Sequence, residues 1–126
     1  MKILSNDTQI ELHVPDFKKT IAFYTILGFK VSSKTKRYLI MTRGKSILNF
    51  NEGSEKVYEQ SYFKNFPKNT KRGYAVEIVI PIKNIEQFYN SVKEKVTIVQ
   101  NLKLKRWKKR DFRVEDPFGF YLRFTE

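Results

Sequence analysis

Residues 8–14, Thr-Gln-Ile-Glu-Leu-His-Val, alternate polar and apolar side chains, with Ile10, Leu12 and Val14 on one face and Gln9, Glu11 and His13 on the other. A period of two predicts a strand with one face buried. Asp16 follows as a helix N-cap, Phe17, Ile21, Tyr24 and Leu27 recur at helical spacing, and Gly28 supplies the stop. Runs at 29–33, 38–42 and 46–50 predict three more short strands, the last two joined by the hairpin signal Arg43-Gly44-Lys45. The first half therefore reads βαβββ.

Between residues 51 and 71 the pattern loosens into a polar stretch holding Val57, Tyr58, Tyr62, Phe63 and Phe66, in which a short helix over 55–63 is expected. The earlier order then returns. Residues 74–80 alternate, Asn84 and Gln87 form a capping-box-like start, and IEQFYNSVKEK continues as an amphipathic helix. A strand over 96–104 follows. The closing runs 111–115 and 120–124 flank Asp116-Pro117-Phe118-Gly119, a hairpin whose turn is set by Pro117 and Gly119. The halves match in places: Val14-Pro15 with Ile80-Pro81, Phe23-Tyr24 with Phe88-Tyr89, and Ile47-Leu48-Asn49-Phe50 with Tyr121-Leu122-Arg123-Phe124. The expectation is one α+β domain over 1–126, with module one at about 1–52, a connector at about 53–72 and module two at about 73–126.

Composition narrows the function. A chain of 126 residues with 40% hydrophobic content sustains one packed core, and no apolar run approaches the roughly 18 residues of a membrane span. The first residues lack the cationic-then-apolar order of a signal peptide, so a cytoplasmic protein is expected. With no cysteine, disulfides, thiolate metal sites and cysteine nucleophiles are excluded. Lys and Arg total 25 against 13 Asp and Glu, a net charge of +12, which makes anions the natural partners. The run Lys103, Lys105, Arg106, Lys108, Lys109 and Arg110 around Trp107 has the charge to hold phosphates, but a solvated loop is the commoner origin of such a run, so nucleic acid is the disfavoured partner.

Asp16 with Phe23-Tyr24 and Leu27-Gly28-Phe29, together with the closing pattern from Trp107 through Arg110-Asp111-Phe112-Arg113-Val114-Glu115-Asp116-Pro117-Phe118-Gly119 to Leu122-Arg123-Phe124, resembles the vicinal oxygen chelate superfamily. That group includes glyoxalase I, extradiol dioxygenases, fosfomycin-resistance enzymes and bleomycin-resistance proteins, and the closing pattern is most similar to the bleomycin-resistance-like branch. The resemblance covers nearly the whole chain. It implies two βαβββ modules whose curved sheets form a cleft, with metal ligands on the first and last strands of each module. Carried over, those positions fall on Gln9, Asn49, Glu77 and Arg123, with a second register that equates Glu77 with Glu11 instead. Two amides, one carboxylate and a permanent cation do not make a divalent site, and His13 is the sole histidine, so no metal and no cofactor are expected.

The resemblance taken with these departures leads to the expectation of a metal-free binder of a small organic ligand, with no catalytic residues assigned, acting as a homodimer, with antibiotic resistance among the roles in view. The candidate ligand-binding residues are Gln9, Glu11, Tyr38, Asn49, Glu77, Trp107, Arg113, Tyr121 and Arg123. Arg123 is expected to anchor an anionic or hydrogen-bond-accepting group and to pair with Glu77, while Trp107 and Tyr38 supply apolar walls. Bleomycin itself, being cationic, suits a chain of this charge poorly unless Glu11, Glu77, Asp111 and Glu115 make the cleft locally acidic. The alternatives are a metal-dependent lyase or dioxygenase with an altered ligand set and, behind it, a basic nucleic-acid-binding module.

Overall fold

A computed structural model describes residues 7–54, 59, 62–65 and 71–126. The chain divides into two compact units, Met1–Asn69 and Thr70–Glu126. In the first, strand β1 (Glu11–Val14) leads into helix α1 (Phe17–Ile26), then β2 (Lys30–Lys34), β3 (Tyr38–Arg43) and β4 (Ser46–Glu52), with a 3₁₀ turn at Tyr62–Asn65. The second repeats the order with β5 (Glu77–Pro81), α2 (Ile85–Val92), β6 (Thr97–Leu104), β7 (Arg110–Glu115) and β8 (Tyr121–Thr125). The sheets run β1-β4-β3-β2 and β5-β8-β7-β6, so each module's first strand pairs in parallel with its last. This is the α+β pair of βαβββ modules read from the alternation. Apart from the 3₁₀ turn, most of the helix expected over 55–63 lies outside the described residues.

Local chemistry explains the boundaries. Asp16 caps α1 by accepting from the Lys19 amide at 2.9 Å. At the far end Arg43 Nε donates to the Leu27 carbonyl at 3.1 Å, satisfying an otherwise orphaned helix acceptor. Helix α2 starts differently from expectation. Asn84 adopts a left-handed conformation, φ 53°, and makes no side-chain cap hydrogen bond, so the capping box read from Asn84 and Gln87 is not formed. The strands are also shorter at their starts than the alternation suggests. Ile10 and Val76 precede β1 and β5 and are exposed, leaving Leu12 and Val14, or Ile78 and Ile80, to face inward.

The closing turn is held by its aspartate as much as by Pro117 and Gly119. The buried Asp116 Oδ1 accepts from the amides of Phe118 at 2.8 Å and Phe120 at 2.9 Å. Gly119 sits at φ 101°, and a Cβ there would lie 2.7 Å from Lys71 Cβ and 3.0 Å from the Arg72 amide nitrogen, so only glycine fits.

Each module packs its helix on the apolar side of its own sheet. In the first, Tyr24 on α1 meets Phe50 on β4 at 5.1 Å between ring centroids and Phe29 at 5.9 Å. In the second, Phe88 and Tyr89 on α2 rest on Phe112, at 6.0 and 4.9 Å, and Phe112 stacks on Phe124 at 5.0 Å. Rings of this size dominate the burial that stabilises a module. With the apolar sides occupied, polar residues such as Glu11, Asn49, Glu77 and Arg113 fall on the opposite sheet face, while Arg43 and Arg110 reach on the helix side to the Leu27 carbonyl and to Glu86.

Candidate functional site

Strand register fixes which polar side chains are neighbours. In the first module Glu11 lies opposite Asn49, which lies opposite Ile40, and the next rung on the same face joins His13, Asn51 and Tyr38. Asn51 Nδ2 donates to Glu11 Oε1 at 3.4 Å, and the His13 ring contacts that of Phe63 at 4.7 Å. Gln9 precedes β1 and is partly buried. The first module therefore brings Glu11, Asn49 and Tyr38 onto one face. Asn51 was missed because the strand, which runs to Glu52, was expected to end at residue 50.

The second module carries more charge. One rung runs Glu77, Tyr121, Glu115, Thr97; the next runs Val79, Arg123, Arg113, Gln100; and Asp111 lies on the third, opposite Thr125 and Lys103. Glu77, Arg113, Tyr121 and Arg123 thus share one face. Two arginines stand directly opposite each other across β7 and β8, an arrangement that destabilises a sheet unless one charge is neutralised.

It is Arg113 that is neutralised. Its Nε donates to Glu77 Oε1 at 2.9 Å, its Nη1 donates to Gln100 Oε1 at 2.6 Å, and Asp111 Oδ1 lies 3.7 Å from Nη1. Burial works against the Arg113 charge, but the Glu77 hydrogen bond and the Asp111 field outweigh it, and its pKa is raised. The partner of Glu77 is therefore Arg113 and not Arg123, which corrects the pairing expected from sequence. Arg113 lies one strand nearer the sheet's far edge and reaches back across β8 because Gln100 and Asp111 hold its other side.

Arg123 is left with a different environment. Its guanidinium lies 5.9 Å from the centroid of the Trp107 ring, a cation–π arrangement, and its Nε is buried with no hydrogen-bond partner among the described residues. It forms no ion pair among those residues. Trp107, in the turn between β6 and β7, remains 46% exposed. Lys105, in the same turn, folds back to donate to Gln100 Oε1 at 2.9 Å and approaches Asp111 Oδ1 at 3.9 Å. Glu115 pairs with Lys71 at 3.0 Å. Gln100 escaped the sequence reading because β6 carries two register irregularities, so strand parity does not predict its face.

The donor set is a poor match for a divalent metal. Glu11 and Glu77 are each the first residue of the parallel strand, which favours the register that equates them and makes Tyr121 the counterpart of Asn49. In either register the positions supply at most two carboxylates, with Glu77 held by Arg113 and Glu11 by Asn51. Among the described residues no three His, Asp or Glu side chains converge. These residues do not fit the metal that the resemblance implies.

Comparison with known proteins places the fold. The model of the Glyoxalase/Bleomycin resistance protein/Dioxygenase superfamily matches residues 8–124. No curated protein matches the chain by sequence. Among solved structures, a protein of unknown function from Agrobacterium tumefaciens str. C58 superposes with a TM-score of 0.79 at 18% identity, over 98% of this chain and 95% of that one. A bleomycin resistance determinant encoded on the transposon Tn5 gives 0.69 at 21% identity, over 97% and 98%. A bleomycin-binding protein complexed with bleomycin gives 0.64 at 22%, also over 97% and 98%. At these identities the likeness is one of fold. No helix among the described residues is long and apolar enough to cross a membrane.

Proposed function

The chain belongs to the glyoxalase/bleomycin resistance protein/dioxygenase superfamily, and from that premise we propose that it is a small-molecule-binding protein that works without a divalent metal, taking an organic anion on the polar face of the second module's sheet. The observation that carries this reading is Arg123. On that face Glu77 and Asp111 offset Arg113 and Lys105, and Glu115 offsets Lys71, whereas Arg123 has no carboxylate beside it among the described residues. The Arg123 charge remains, beneath a half-exposed indole. A guanidinium presents a planar fork that suits a carboxylate, and an indole presents a flat apolar surface to the ligand's body. The net charge of +12 raises the local concentration of anions.

Glu77, Arg113 and Tyr121 frame the site by holding position beside Arg123. Gln9, Glu11, Asn49 and Tyr38 on the first module are a further candidate surface for polar contacts. The reading takes the protein as a cytoplasmic homodimer, which light scattering on purified material tests independently of ligand.

The test is a thermal-shift panel of aromatic carboxylates on wild type and Arg123→Leu. A ligand at a hundred times its dissociation constant stabilises by about 2.7 kcal/mol, a clear upward shift in Tm. The reading predicts shifts in wild type that vanish in Arg123→Leu. Shifts of equal size in both proteins, or shifts that require an added divalent ion, overturn it.

A further inference from the structure

Asp111 is the other group on this face whose chemistry is unfinished. Its side chain is fully buried, and neither carboxylate oxygen has a hydrogen-bond partner among the described residues. Arg113 and Lys105 stand at 3.7 and 3.9 Å, close enough to balance charge and too far to hydrogen-bond. A buried carboxylate with its acceptor positions unmet is costly, and native structures fill such a position with a donor. Asp111 lies opposite Thr125, and Arg123 lies opposite Arg113, so Asp111 and Arg123 are diagonal neighbours on one face across β7 and β8. Diagonal pairs of this kind lie about 7–8 Å apart, within reach of both ends of one small molecule.

We propose that Asp111 and Arg123 together recognise an amino-acid-like zwitterion, Arg123 taking the carboxylate and Asp111 the ammonium, with Trp107 against an aromatic or apolar side chain. The proposal rests on the reading of this face as an anion site and narrows it. The ligand's ammonium enters by replacing the Lys105 ammonium beside Asp111, one cation exchanging for another. Lys105 is suited to give way: it sits on a turn, its contact with Asp111 is loose at 3.9 Å, and Gln100 offers its ammonium another acceptor at 2.9 Å. A carboxylic acid without the amino group leaves Asp111 as it stands, and an amine without the carboxylate meets Arg123 as a like charge.

Matched probes decide the matter: L-phenylalanine against 3-phenylpropanoate and L-tryptophan against indole-3-propanoate, each pair differing by the α-amino group alone. Binding is read by thermal shift and calorimetry on the full chain. The amino member of each pair is expected to bind roughly tenfold tighter, the worth of one charge-assisted hydrogen bond. Asp111→Asn should remove that preference while the amino-free acids still bind, and Lys105→Ala should enlarge it by removing the competing cation. Should Asp111→Asn fail to fold, Lys105→Ala decides alone: a larger preference supports the proposal, and an unchanged or smaller one overturns it. Equal binding within each wild-type pair means that Asp111 holds only a structural water, which overturns the zwitterion proposal and leaves the anion site standing. If neither member of either pair binds, the anion-site reading falls and the zwitterion proposal falls with it.

Discussion

Replacing Glu77 by glutamine separates a binding face tuned by charge from one built around a metal. Glu77 holds Arg113 through a 2.9 Å hydrogen bond, and Arg113 stands directly across the ladder from Arg123. Glutamine keeps an oxygen within reach of Arg113 Nε but removes the negative charge, so the face gains one net positive charge. For an anion on Arg123, Arg113 lies about 6–8 Å away. At an effective dielectric constant of 20–40 the unmasked charge contributes about 1–3 kcal/mol, a roughly five- to hundredfold tighter dissociation constant. The opposing effect is on stability. A half-buried ion pair becomes a neutral hydrogen bond while two arginines face each other, which should cost about 1–2 kcal/mol and lower Tm by several degrees. Calorimetric titration with an aromatic carboxylate at low and at physiological salt reads the first effect, and thermal unfolding reads the second. Tighter binding in a less stable protein is the expected pair of results. Weaker binding in Glu77→Gln refutes the reasoning, because it gives Glu77 a direct part in holding ligand or metal.

Other perturbations test the supporting parts. Asp116→Ala removes the acceptor of two backbone amides in a buried turn and should cost about 2–4 kcal/mol, roughly 10 °C in Tm, with Asp116→Asn losing less; an unchanged Tm would mean that Pro117 and Gly119 hold the turn alone. Glu126 accepts from the Arg110 side chain and amide, and these hydrogen bonds lower its pKa from 4.5 to about 2. Its folded value being depressed, the pair stabilises fully above 4.5 and its contribution is lost as pH falls towards 2, so carboxyl NMR should place the Glu126 midpoint near 2 and Arg110→Gln should return it to the ordinary range. Phe124→Ala takes away a buried ring that stacks on Phe112 and should destabilise the second module by about 3–5 kcal/mol, read by denaturant unfolding.

The fold was legible because it rests on short-range pattern. Alternation in β1, β5, β7 and β8 states which side faces the core, Asp16 and Gly28 bracket α1, and the recurrence of the same order in the second half shows two copies of one unit. The site was legible only in part. Parity placed Glu77, Arg113, Tyr121 and Arg123 on one face, but parity does not choose partners between strands. The choice of Arg113 over Arg123 for Glu77 follows from Gln100 and Asp111, which hold Arg113 from the far side. Gln100 sits in a strand whose irregular register hides its face, and the unmet acceptors of Asp111 appear only once the surrounding cations have distances. Asn84 marks a limit of another kind, since its left-handed backbone withdraws the capping side chain that its identity advertises.

Binding of an organic anion by Arg123, beneath Trp107 and without a metal, can be followed from the indole itself. Trp107 is the only tryptophan in the chain, so its fluorescence reports on that position alone. The direct measurement is a titration of 3-phenylpropanoate into protein stripped with chelator, followed through Trp107 emission. A saturable change that weakens with added salt and is unaffected by restoring divalent ions is expected. A change that appears only when a divalent ion is restored, or no change up to millimolar ligand, would contradict it.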